Sequence, residues 1–259
     1  MIDWVHDLPI AWLVVVVFAA TLLVTAGIYF AVMSLAEGDR ASAFKAVSPG
    51  MLPPMGLVFG LLVGFLAAQL WSEASEARDA VNTEASSLRS VTLLASAFPG
   101  EPEARLNALI GRHIQHAAAD EWPAMARQSA TLTVIPGSLA DALRYAIALE
   151  PTDAGQRAAQ EEIVSSIQDA LEARRDRIIV SQETVNWVKW TAVIATALLT
   201  LLAIAFVHSD NRRTALIAMS IFGSGVAVTL VLIASQDRPF SGEFRVKPDV
   251  LLQVLPRER

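Results

Sequence analysis

The apolar positions of this chain gather into four runs: Pro9 to Ala36, Met51 to Trp71, Trp187 to His208 and Thr214 to Ser235. Almost no charge falls within them. Each is long enough to cross ~30 Å of hydrocarbon as a helix rising ~1.5 Å per residue. Short loops join the first run to the second and the third to the fourth. A polar segment, Ser72 to Asn186, lies between the second and third. The pattern predicts an all-α membrane protein with four transmembrane helices and a helical extramembrane domain between the second and third spans. The expected division is 1–72 for the first two spans, 73–186 for the extramembrane stalk, 187–235 for the last two spans and 236–259 for an extended C-terminal tail.

The polar segment has its own periodicity. Ala77, Val81, Glu84, Leu88, Val91, Ala95 and Phe98 recur in steps of four and three, the spacing of helices packed side by side. No helix breaker separates this seam from Trp71, so the second span is expected to continue as one helix to about Ala97, where Phe98-Pro99-Gly100 turns the chain. A second helix is expected from Glu103 to about Glu121, with Leu106, Leu109, Ile110, His113, Ile114 and Ala117 on one face. It should stop at Trp122, because Pro123 disfavours helix at the residue before it. A third runs from about Ser138 to Leu149. The last starts near Asp153 and, lacking a breaker, is expected to run straight into the third span.

Composition narrows the class. The chain has 259 residues, 54% of them hydrophobic, no cysteine and a net charge of −6. Without cysteine there are no disulfides, iron–sulfur clusters or thiolate zinc sites. The acidic balance offers no basic face for nucleic acid. The N-terminus carries Asp3 and Asp7 where a signal peptide would be positive. The polar segment holds no glycine-rich phosphate loop and no nucleophile–base constellation, so an enzyme is not expected, nor a cofactor. Arg40, Lys45, Arg212 and Arg213 crowd the two short loops, and such residues stay cytoplasmic. That places the middle domain and both termini outside the cytoplasm.

A few residues break the pattern. Glu84 is a charge on the stalk seam, and Arg174 falls on the apolar stripe of Ile163, Ile167, Ala170 and Ile178. Glu84 lies thirteen residues after Trp71, and Arg174 thirteen before Trp187. Antiparallel helices would bring them to one level as an ion pair fixing helix register, or as a polar ring on an axial path. His113, His116 and Asp120 share a helix side, but no fourth ligand is evident and a metal site is not expected. In the second span Gly56, Gly60 and Gly64 recur every four residues, a face on which helices approach closely. Beside them run Leu57, Leu61 and Phe65, which face either lipid and neighbouring spans or a lumen. No span carries a buried Asp, Glu or Arg of the kind charge-coupled transporters use.

Four stretches resemble the bestrophin-like family of bacterial membrane proteins: VNTEASSL after the second span, DEWPAMAR in the middle domain, NRRTAL between the last two spans, and DRPFSGEFRVKP after the fourth. The resemblance covers nearly the whole chain. It implies kinship with bestrophins, pentameric anion channels whose second span lines a narrow neck of bulky apolar side chains following a proline. Here Pro53 and Pro54 precede Leu57, Leu61 and Phe65. The resemblance also implies a middle domain in the cytosol, opposite to the loop charges. In the tail, Asp237, Arg238, Pro239, Phe240 and Gly242 end the fourth span, and Phe244 and Val246 alternate with charges as in a short strand that turns back across the stalk base or onto a neighbouring subunit. The expected function is an oligomeric ion channel of the inner membrane, for inorganic anions, with lipid and further copies of the chain as partners. The alternative is a non-conducting scaffold or sensor whose stalk binds another protein.

Overall fold

In the computed structural model the described residues are 9–36, 49–133 and 135–256. The N-terminal segment with Asp3 and Asp7, and Arg40 and Lys45 of the first loop, lie outside them. The described residues form helices and no strand. The α-helices are α1 (Ile10–Leu35), α2 (Leu52–Leu94), α3 (Glu101–His116), α4 (Trp122–Ala126), α5 (Gly137–Ile147), α6 (Ala154–Gln182), α7 (Trp187–Val207), α8 (Arg212–Gln236) and α9 (Asp249–Leu252). Four of these helices are long and apolar enough to cross a membrane: α1, α2, α7 and α8. The protein is a membrane protein with an all-helical fold.

The chain divides into two compact units. One comprises Met1–Trp71 with Thr184–Asp237, and the other Ser72–Glu183 with Arg238–Arg259. Helix α2 passes from the first into the second without a break, as the absence of any glycine or proline between Ala67 and Pro99 dictates.

In the membrane unit α1 packs along α8. A Cβ at Gly223 would lie 2.7 Å from Thr25 Oγ1, so this crossing admits only hydrogen at that position. Thr25 turns its hydroxyl back to the Thr21 carbonyl at 2.8 Å, which satisfies it away from water. Two apolar clusters complete the unit. One gathers Phe59, Leu66, Leu70, Val193 and Ile233, the other Val32, Met33, Leu201 and Met219.

The extramembrane unit has one apolar core. The seam residues Ala77, Val81, Leu88, Val91 and Ala95 are all buried, against Leu106, Ile110, Ile114, Leu139, Ile163 and Ile167. Asp153 caps α6 by accepting the Gln156 amide.

Three expectations about this unit and its borders are corrected. Trp122 does not end a helix. A π-turn, Ala117–Glu121, follows α3, and the backbone stays helical through Trp122 into α4. Pro123 sits in the first turn of α4, where its missing N–H costs nothing. Nor does α6 run into the third span. Residues 183–186 leave the helix, with Glu183 extended, and Asn186 caps α7 by accepting the Val188 amide. A good cap before an apolar run starts a helix afresh, and that signal outweighs the absence of a breaker. Finally, the tail forms turns and the short helix α9 rather than a strand. Gly242 has φ of 74°, a left-handed turn that reverses the chain and lets the Val246 amide donate to the Pro239 carbonyl at 2.8 Å.

Candidate functional site

Each unit contributes one arrangement that is more than packing. In the membrane unit it is the face of α2. Leu57, Leu61 and Phe65 are 64%, 51% and 72% exposed. The adjacent row is equally open: a Cβ placed at Gly56, Gly60 or Gly64 would meet nothing within 4 Å. Both rows are therefore largely open within the chain. They remain available to lipid or to another copy.

In the extramembrane unit it is a buried polar network at the heart of an apolar core. Glu84 is fully buried. Its carboxylate accepts from Arg177 Nε at 2.7 Å and Arg177 Nη2 at 3.2 Å, and lies 2.8 Å from His113 Nε2. Arg177, also fully buried, donates from Nη2 to Glu121 Oε2 at 2.9 Å, and Nη1 lies 3.5 Å from Met125 Sδ. Its guanidinium carbon sits 4.4 Å from the centre of the Trp122 ring. Arg174 closes the network, donating from Nε to Glu121 Oε1 at 2.8 Å. Two carboxylates and two guanidiniums balance, which is the condition under which such charges tolerate burial. Burial alone pushes both carboxyls up. For Glu84, well beyond the apolar part of α2, Arg177 and then His113 overcome that effect and hold it below the usual carboxylate range. Arg177 and Arg174 do the same for Glu121.

The expected pairing of Glu84 with Arg174 is therefore corrected: Glu84 meets Arg177, and Arg174 meets Glu121. Arg177 lies about one helical turn further along α6 than Arg174, so the count misses the partner by about one turn. Arg177 left a trace in the sequence. Ile163, Ile167, Ala170, Arg174 and Arg177 follow strict four–three steps, whereas Ile178 does not. Glu121 left none, because it lies in a π-turn that has no sequence signature. His113 is fully buried on Glu84, while His116 pairs with Asp120 in solvent at 2.8 Å. Among the described residues no group of three His, Cys, Asp or Glu is placed to hold a metal.

The tail motif has partners of its own. Asp237 is buried, and its Oδ1 accepts the Val185 amide at 2.8 Å, so it holds the interrupted backbone before α7. Phe240 is buried against the edge of Trp122, ring centres 6.0 Å apart. The Trp122 indole N–H donates to the Val246 carbonyl at 3.0 Å. The tail thus lies on the extramembrane unit of its own chain.

A further feature was not legible in the sequence. Helices α2 and α6 leave between them a groove of about 520 Å³ lined by Glu76, Asp79, Asp169, Glu172, Asp176 and Glu183 among others, with no Lys or Arg in its wall. Burial, then Glu73 and Glu76, push the Glu183 carboxyl up.

The fold and these arrangements define a class. The bestrophin-like domain model matches residues 11–251, and the chain belongs to the bestrophin-like family. Solved structures agree on the fold. One variant of a bacterial bestrophin homologue from Klebsiella pneumoniae has a TM-score of 0.70 at 10% identity, covering 93% of this chain and 97% of that one. A second variant has 0.68 at 12%, covering 93% and 95%. A structure described as a membrane protein has 0.68 at 11%, covering 93% and 96%. No curated protein sequence matches the chain.

Proposed function

We propose that this protein is an oligomeric ion channel of the bacterial inner membrane, in which α2 lines an apolar neck of Leu57, Leu61 and Phe65. The observation that carries the reading is the open face of α2. Among the described residues a Cβ on its glycine row would meet nothing within 4 Å, and its bulky row is more than half exposed. Small residues let a helix of another copy approach closely. In a ring closed by that contact, the adjacent bulky row turns to the axis as stacked rings ~6 Å apart. Such a constriction gates by dewetting and needs no charge. Five copies are what the family resemblance implies. The loop charges favour a middle domain outside the cytoplasm.

The permeant ion has two readings. The resemblance implies inorganic anions. The acidic groove between α2 and α6 favours cations, since a cleft of one sign concentrates the opposite ion.

Planar bilayers containing the purified protein test the reading. Current through the wild type, raised when Leu57, Leu61 and Phe65 are all replaced by Ala, is the expected result. Reversal potentials under a KCl gradient assign the ion's sign. If neither protein passes current, the non-conducting scaffold takes the channel's place. Orientation is separable: the chain has no cysteine, so Ser129→Cys should react with an impermeant thiol reagent on intact cells and Asp210→Cys should not.

A further inference from the structure

His113 is the one member of the buried network that carries no fixed charge, and its two ring nitrogens have different surroundings. Nε2 lies 2.8 Å from Glu84 Oε1, and an ionised carboxylate only accepts, so Nε2 carries the hydrogen. Nδ1 is buried and has no hydrogen-bond partner among the described residues. With Nδ1 unprotonated the cluster is neutral: Glu84 and Glu121 against Arg174 and Arg177. A proton on Nδ1 makes two changes at once. It adds a third positive charge to two carboxylates, and it creates a buried N–H with nothing to donate to. An unsatisfied buried donor and an unpaired buried charge are both strongly unfavourable.

No neighbouring element supplies relief. From α2 the facing charge is Glu84, already shared with Arg177. From α6 come Arg177 and, behind it, Arg174, both of the wrong sign. The π-turn offers Glu121, which both arginines occupy. Helix α4 contributes Met125 and Trp122, which are uncharged. Helix α5 buries Leu139, Ala142 and Ala146, while its Asp141 and Arg144 pair with each other at the surface. On α3 itself Arg112 is exposed, Arg105 pairs with Glu101, and His116 pairs with Asp120. Helix α9 adds only the apolar Leu251 to the core.

We propose that His113 is a proton sensor: charging Nδ1 expels it from the core and loosens α3 from α2 and α6. Helix α2 is the same helix that carries the open glycine and leucine rows, so the sensor acts on the element that enters the membrane. The sensor does not depend on conduction, and its test is independent of current.

The test is hydrogen exchange on the full-length protein in lipid nanodiscs, corrected for the chemical exchange rate at each pH. Between about pH 7.5 and about pH 5.5, where an exposed histidine changes charge, protection of the α3 amides should fall by up to about tenfold. His113→Gln keeps a donor to Glu84 but cannot charge, and its α3 protection should stay flat over that range. His116→Gln should behave as wild type. If the Gln variant fails to fold, His116→Gln compared with the wild type decides, because a loss in that range that persists without His116 leaves His113 as the α3 histidine that charges. Protection in the wild type that is lost only below about pH 4 overturns the proposal. So does an equal loss in His113→Gln, or abolition of the loss by His116→Gln.

Discussion

The two halves of α2 obey opposite rules. From Leu52 to Trp71 its glycine row is open and its bulky row stands exposed. From Ala77 to Leu94 the same helix buries Val81, Glu84, Leu88 and Val91 almost completely. Water forces the second half to hide its apolar stripe within its own protomer, because each Å² left wet is unfavourable. Lipid exerts no such force on the first half, since its tails are as apolar as leucine. Burial inside one chain therefore reports folding for the stalk, whereas in the span an apolar side chain carries no penalty for staying open.

The comparison can be broken most severely at Arg177. Arg177→Met leaves Glu84 buried without its cation and should destabilise the extramembrane unit by about 3–5 kcal/mol. Chemical unfolding in detergent measures it. Combining it with Glu84→Gln should recover much of the loss, and strict additivity in the double-mutant cycle would count against the contact. Arg174→Met should cost less, because Glu121 keeps Arg177.

Acid probes the same half. Glu84 and Glu121 titrate below their unfolded values, so their contribution is full above the ordinary carboxylate range and disappears as pH falls through their lowered folded values. The unfolding temperature should therefore drop steeply only in strong acid, below the mild range in which His113 loosens α3. Glu84→Gln should flatten that drop.

Gly223→Ala sharpens the comparison within the membrane unit. Its Cβ would press on Thr25 Oγ1, so α1 and α8 must separate or Thr25 must rotate, at a cost of about 1–2 kcal/mol. The smallest effect is expected for Gly60→Leu. Among the described residues nothing stands within 4 Å of the new Cβ, so protomer stability should change by less than about 0.5 kcal/mol. If copies assemble through the glycine row as proposed, native mass spectrometry should nevertheless show that assembly weakened. An unchanged oligomer would move the contact between copies away from the glycine row.

The sequence by itself determined the four spans, the helical stalk and the continuity of α2 through the membrane border. Those follow from local periodicity, length and the placing of Gly and Pro, all carried by neighbours in the chain. It also marked Glu84 as a charge needing a partner, because a carboxylate on a heptad seam has no other way to be buried. Tertiary structure alone decided which partner. The four residues from Glu183 to Asn186 leave the helix, with the Val185 amide held by Asp237 at the end of α8, and α6 brings Arg177 rather than Arg174 to Glu84. Glu121 joined the network only through a π-turn, and Trp122 meets Arg177 from α6 and Phe240 from the tail. Registers and networks of this kind depend on residues more than fifty positions apart, where a shift of one turn changes every partner while leaving the local pattern intact.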